Sequence, residues 1–190
     1  MSDSINIIRK IIQKEEEIVL DTNFYIFNYE YQMNLYNAFD LKATNKLKLV
    51  TKVFMYLEEK EIKVRLPKII ADEIKKVFSD NKYQYSEEII FGRLNIIRDK
   101  KEIDLEDNKI VNKLFNENKL AYEDTNDFRI YLYCLREQLK LIVTDDWDDF
   151  KNCQKIYRKE VKTDTTKQQE ISILSQTEFN EYIEKIEEKK

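Results

Sequence analysis

The stretch IVLDTNFYIF, residues 18–27, decides how the chain reads. Ile18, Val19 and Leu20 run straight into Asp21. A short apolar, β-branched run of this kind predicts a strand over residues 17–21, buried on both faces. A carboxylate at its end is costly to bury unless something compensates it. Asp21 therefore needs a physical reason to stand there.

The pattern recurs further along. KLIVTDD, residues 140–146, reads as a second buried strand ending in acid. IKVRLP, residues 62–67, alternates like a strand and stops at Pro67, and EISIL, residues 170–174, reads as a last strand. The intervening segments carry helical spacing. Helices are predicted over 4–15, 24–38 and 44–60, the last with Val50, Val53, Phe54 and Leu57 on one face. KIIADEIKKVF, residues 68–78, places Ile70, Ile74, Val77 and Phe78 on one face. Further helices are predicted over 86–98, 107–117 and 124–139, and over 175–186 with Ser175 or Thr177 as its cap.

Strands alternating with helices imply a mostly parallel sheet covered on both faces. The expected class is α/β: a helix-rich, three-layer α/β/α sandwich. In such sheets ligands bind at the carboxyl ends of the strands, which is where Asp21 falls. No Pro/Gly/Ser-rich linker divides the 190 residues. The reading is one domain over 17–190, preceded by a helical extension over 1–16.

Composition narrows the chemistry. The chain has no histidine, which excludes imidazole-based catalysis and imidazole metal ligands. Its two cysteines, Cys134 and Cys153, lack zinc-ligand spacing and read as reduced packing residues. Carboxylates remain as the main candidates. With 33 basic and 37 acidic residues the net charge is −4, so nothing in the overall charge draws the chain to nucleic acid. The N-terminal residues MSDSINIIRKIIQKEEE do not resemble a secretory signal, and no apolar run approaches the roughly 20 residues that span a bilayer. The expected location is cytoplasmic, with no membrane partner.

Four acidic positions fall on the inferred ligand edge. Asp21 ends the first strand, Glu73 follows VRLP within the next helix, Asp127 lies in the first turn of the helix at 126–139, and Asp145 and Asp146 follow LIVT. Crowded carboxylates repel and raise one another's pKa unless a cation joins them. Hard oxygen donors select Mg²⁺ or Mn²⁺, and such an ion suits phosphoryl chemistry. Each acid also fits a purely structural role. Asp21 can end a strand, Asp127 can complement a helix dipole, Glu73 can sit on a solvated face, and Asp145, Asp146, Asp148 and Asp149 can form a polar turn.

The ordered motifs resemble the PIN-domain nuclease family, including its VapC-like toxin ribonucleases. IVLDTN is similar to the family's opening strand and Asp-Thr-Asn, and PKIIADE, Pro67 to Glu73, to its Pro-to-Glu segment. DFRIYLYCL at Asp127 resembles its acidic helix start, and LIVTDDWDDF, residues 141–150, its closing signature. ISILSQTEFNEYI resembles its final strand and helix. The likeness spans residues 17–186. The chain differs in its extra N-terminal helix and in longer helical segments between the acids.

The resemblance implies a PIN-like fold and Mg²⁺- or Mn²⁺-dependent endoribonuclease activity: hydrolysis of phosphodiester bonds in single-stranded RNA. It implies Asp21, Glu73, Asp127 and Asp146 as catalytic, metal-binding acids. Asp146 is preferred over Asp145 because it lies two residues after Thr144. Asn23 and Thr144 would orient carboxylates or water, and Asp149 would assist at the rim. Asp124 reads as a helix cap. The implied partners are an RNA substrate and an antitoxin protein if the chain is the toxin of a toxin–antitoxin pair; a homo-oligomer stays open beside them. The alternative is a catalytically silent PIN-like module that binds RNA or protein. Lys75, Lys76, Lys82, Arg93, Arg98, Lys100 and Lys101 read either as a solvated face or as a phosphate track. The tyrosines of YIFNYEYQMNLY and YLYCL read as core, as a subunit interface or as base-stacking platforms.

Overall fold

The computed structural model describes residues 2–13, 16–33, 41–99, 105–161 and 171–188. Fifteen elements follow in chain order: α1 (Ser2–Ile12), β1 (Ile18–Leu20), α2 (Thr22–Gln32), α3 (Leu41–Glu59), β2 (Lys63–Leu66), α4 (Lys68–Asp80), α5 (Glu87–Phe91), β3 (Asn95–Arg98), α6 (Leu105–Asn116), α7 (Thr125–Arg136), β4 (Leu141–Thr144), α8 (Trp147–Ile156) with a π-helical turn (Tyr157–Val161), β5 (Ser172–Ser175) and α9 (Gln176–Glu187).

The strands form one parallel sheet in the order β3-β2-β1-β4-β5. Ile18, Val19 and Leu20 align with Leu141, Ile142 and Val143 on the neighbouring strand. All six are wholly buried, as a strand covered on both faces must be. The helices form two packed groups, one containing α2, α3 and α9 and the other α6, α7 and α8. The result is the α/β sandwich of helix, sheet and helix expected from the sequence. Helix α1 lies against α9, and its Ile8 and Ile11 belong to the same buried core as the sheet. Cys134 and Cys153 are free and buried.

The strand order positions the site. From β1 the chain steps outward to β2 and β3, then returns to β4 on the other side of β1. The reversal opens a crevice at the carboxyl ends of β1 and β4. Asp21 leaves β1 there, and Asp145 and Asp146 leave β4.

One predicted element is corrected. Residues 86–98 are not a single helix but the short α5 followed by strand β3, which pairs with β2 from Lys63↔Asn95 to Leu66↔Arg98. Gly92 ends the helix in the left-handed region at φ 55°, and its N–H donates to the Glu88 carbonyl. A side chain is strained there by the backbone angle, and its Cβ would come to 2.5 Å from Glu58 Oε1, so the Glu58 side chain would have to move aside. The only glycine in the chain was a stop signal inside an apolar run that otherwise passes for helix. The predicted helix at 24–38 ends at Gln32, with its last residues outside those described. Ser175 caps α9 in a reciprocal capping box with Glu178.

Candidate functional site

Asp21 is the N-cap of α2 and is only 4% exposed. Its backbone N–H donates to the Val143 carbonyl at 3.1 Å, which ties it to the end of β4. One carboxylate oxygen accepts from the Thr22 amide at 2.6 Å, the other from the Thr144 hydroxyl at 3.1 Å. The sheet and the helix start thus fix this carboxylate at both oxygens.

Glu73 reaches the same place from α4. One of its oxygens accepts from the Thr22 hydroxyl at 2.5 Å and the other from the Asn126 side-chain amide at 2.5 Å. Asp127 enters from the first turn of α7. It accepts no hydrogen bond among the described residues, yet it is close enough to feel the charges of Asp21, Glu73, Asp146 and Asp149. Asp146 completes the set. Its carboxylate accepts from Asn23 Nδ2 at 2.7 Å, and its backbone N–H donates to Thr144 Oγ1 at 2.9 Å.

Electrostatics show how tightly these groups are coupled. Burial, then the charge of Asp146, pushes Asp21 up to about 7, against the pull of the Thr22 and Thr144 hydrogen bonds. Burial, then Asp21, Glu73, Asp146 and Asp149 in turn, pushes Asp127 up to about 8. Asp146 is raised as well, by burial and by Asp145 and Asp149, with Lys46 and Asn23 opposing. Among the described residues, no Lys or Arg forms an ion pair with Asp21, Glu73, Asp127 or Asp146.

Asp145 points to a different task. It forms an ion pair with Lys46 of α3 and accepts from Gln176 Nε2 of α9 at 2.6 Å. Of the two adjacent acids, Asp146 joins the cluster and Asp145 joins neighbouring helices, as side chains on opposite sides of a strand end must divide. Asp149 is exposed in the first turn of α8, near enough to raise Asp127 and Asp146. Asp124 stands at the N-cap position of α7 but makes no capping hydrogen bond; its carboxylate accepts from Asn152 at 3.5 Å. The expected cap is absent because Asp124 has helical backbone angles (φ −81°, ψ −5°), whereas a capping side chain needs an extended backbone to turn onto the helix amides.

Three contributors escaped the sequence reading. Thr22 and Asn126 hold Glu73, and Arg129 holds Asn126, donating to its side-chain oxygen at 3.0 Å. Thr22 lies inside the quoted Asp-Thr-Asn, and Asn126 directly precedes Asp127. Adjacency to an acid was the available signal. The tyrosines Tyr25, Tyr29, Tyr131 and Tyr133 are buried and serve as core, not as stacking platforms. Arg98 is clamped bidentately to Glu87 at 2.8 and 2.6 Å, so it is not open to a phosphate track; Lys100 and Lys101 lie outside the described residues.

Among the described residues, no group of three or more acidic or thiol side chains is already disposed to hold a metal ion. The donor set still fits a hard divalent cation in chemistry. It is all oxygen, converges at one sheet edge, and carries charge that no cation among the described residues offsets in an ion pair. No protein-family model matches the chain, and no curated protein is significantly similar to it. Among the described residues, no helix is long and apolar enough to cross a membrane.

Proposed function

We propose that the chain is a metal-dependent endoribonuclease that hydrolyses phosphodiester bonds of single-stranded RNA, with Asp21, Glu73, Asp127 and Asp146 as its working acids. One observation carries the reading: burial with the charges of Asp146 and Glu73 pushes Asp21 up to about 7, burial with Asp21, Glu73, Asp146 and Asp149 pushes Asp127 up to about 8, and neither has an ion-pair partner among the described residues. A fold maintains such a self-repelling cluster at a cost in stability, and strongly perturbed acids in a crevice mark functional sites.

The chain's own residues do the positioning. Thr22 and Thr144 hold the two oxygens of Asp21, Thr22 and Asn126 hold those of Glu73, and Asn23 holds Asp146. Asp127 is left without a hydrogen-bond donor among the described residues and faces the other three charges, so it is the natural place for a cation to be shared. A bound Mg²⁺ or Mn²⁺ supplies neutralisation of phosphate charge and lowers the pKa of a water. Asp149 stands at the rim, and Asp145 is excluded from the site by its ties to Lys46 and Gln176. A toxin role restrained by an antitoxin extends the same reading through the sequence resemblance.

The test is cleavage of mixed single-stranded RNA with Mn²⁺ and with chelator. The expected result is cutting only with Mn²⁺, abolished in Asp21→Asn. Cleavage by Asp21→Asn at the parent rate, with contaminating nuclease excluded, would move the active site elsewhere. Retained RNA binding with no cutting under any divalent ion would favour the silent binding module.

A further inference from the structure

Glu73 lines a cleft of about 400 Å³, and a second of about 420 Å³ adjoins it, between α4, α6 and α7. Lys76, Asn126 and Arg129 line both, so the two run together along one path. We propose that this path is the substrate track: it grips the backbone of an unpaired nucleic-acid strand through Lys76 and Arg129 and stacks a base on Tyr122 and Phe115. The inference rests on the nuclease reading for its direction, since one end of the path lies at Glu73.

The two cations are placed for phosphate. Lys76 lies one turn beyond Glu73 on α4, on the same face. Arg129 donates to two amide oxygens, those of Asn126 at 3.0 Å and Asn108 at 3.3 Å, and to no carboxylate. Neither Lys76 nor Arg129 forms an ion pair among the described residues. Asp72 and Glu123 also border the clefts, so the path is not a uniformly basic channel. Charge alone does not define it, and the aromatic pair supplies the rest.

Tyr122 is 79% exposed and Phe115 42%, with ring centroids 6.3 Å apart, and both line the second cleft. Their backbones are pinned. The Tyr122 carbonyl accepts from the Thr125 amide and hydroxyl at 3.2 and 2.7 Å, and the Phe115 carbonyl accepts from the Asn118 amide at 3.0 Å. An exposed ring on a fixed backbone loses little freedom on binding, and any unpaired base offers it a face to stack on. A duplex keeps its bases stacked inside and offers none.

The experiment is fluorescence anisotropy of a short labelled oligouridylate at low salt with chelator, which separates binding from cutting. The wild type should bind the strand and ignore the matching duplex. Tyr122→Ala should weaken binding on the order of tenfold, and Lys76→Ala should weaken it and reduce the salt slope by about one. Lys52→Ala, on an exposed residue of α3 outside the clefts, should change neither. Absence of strand binding by the wild type, unchanged binding in both cleft variants, or equal binding of polyglutamate would each overturn the track. A strand bound through these residues but left uncut under Mn²⁺ would sink the nuclease reading and leave the track standing. A strand cut by the wild type and bound and cut equally by both variants would do the reverse.

Discussion

The two ends of the sheet treat their acids in opposite ways. At the end where the strands begin, Glu17 accepts from Arg65 at 2.6 Å, in a cleft of about 270 Å³ that also holds Lys63 and Lys140. Burial acts to lower the Arg65 pKa, but the Glu17 contact raises it overall. At the end where the strands finish, Asp21 and Asp127 sit among other acids with no ion-pair partner among the described residues, and both pKa values rise far above 3.8. The same sheet presents the same residue types at both ends. An acid that serves the fold brings its own cation; on the proposed reading, acids held together without one are held for something that arrives from outside.

The sharpest way to break this contrast lies within the finishing end itself. Asp146→Asn should lower the cleavage rate by orders of magnitude, because it removes charge from the cluster. Asp145→Asn should leave the rate nearly unchanged, because Asp145 is already paired with Lys46 and bonded to Gln176. Single-turnover rates on one RNA would compare them. The reverse order would mean that the turn after β4 presents the other carboxylate to the substrate.

A smaller effect should appear in stability against pH. The folded pKa values of Asp21 and Asp127, about 7 and about 8, lie above the ordinary 3.8. Between those limits the folded state holds protons that the unfolded chain has released. This contribution is fully present below 3.8 and is lost as pH rises through about 7 and about 8. The metal-free melting temperature should therefore fall across that window, and Asp127→Asn should flatten the fall. Mn²⁺ binds the deprotonated acids, so it should restore more stability at about pH 8 than at about pH 6. At a hundredfold excess over Kd the gain is about 2.7 kcal/mol. A melting curve indifferent to pH in this window would remove the electrostatic basis of the contrast.

The smallest effect belongs to the beginning end. Glu17→Gln breaks a partly exposed ion pair, so it should cost about 1 kcal/mol or less and leave cleavage untouched. A loss of activity there would mean that the two ends are not independent.

Much of this was legible before any coordinates. The apolar runs ending in Asp21 and in Asp145–Asp146 located the two central strands, because a strand buried on both faces has no alternation to blur it. The convergence of Glu73 and Asp127 with Asp21 followed from the alternation of strands and helices. The edge strand β3 was missed because NIIR, half-buried on both faces, has no distinctive period and Gly92 was passed over as a stop. Thr22 and Asn126 were missed because their roles are hydrogen bonds across 51 and 53 residues, and partners of that kind carry no periodicity; Arg129, three residues from Asn126 on one helix, has a role only once Asn126 has one. Phe115 and Tyr122 were overlooked since neither lies in an aromatic-rich run. Exposure, not composition, sets them apart.

The central claim is that the acids at the finishing end of the sheet await a divalent cation, and the most direct measurement is a calorimetric titration of the metal-free protein with Mn²⁺, repeated on Asp127→Asn. The account predicts saturable binding by the parent that tightens and releases protons as pH rises toward about 8, with binding lost or severely weakened in Asp127→Asn. No saturable binding by the parent, or binding that Asp127→Asn leaves unchanged, would contradict it.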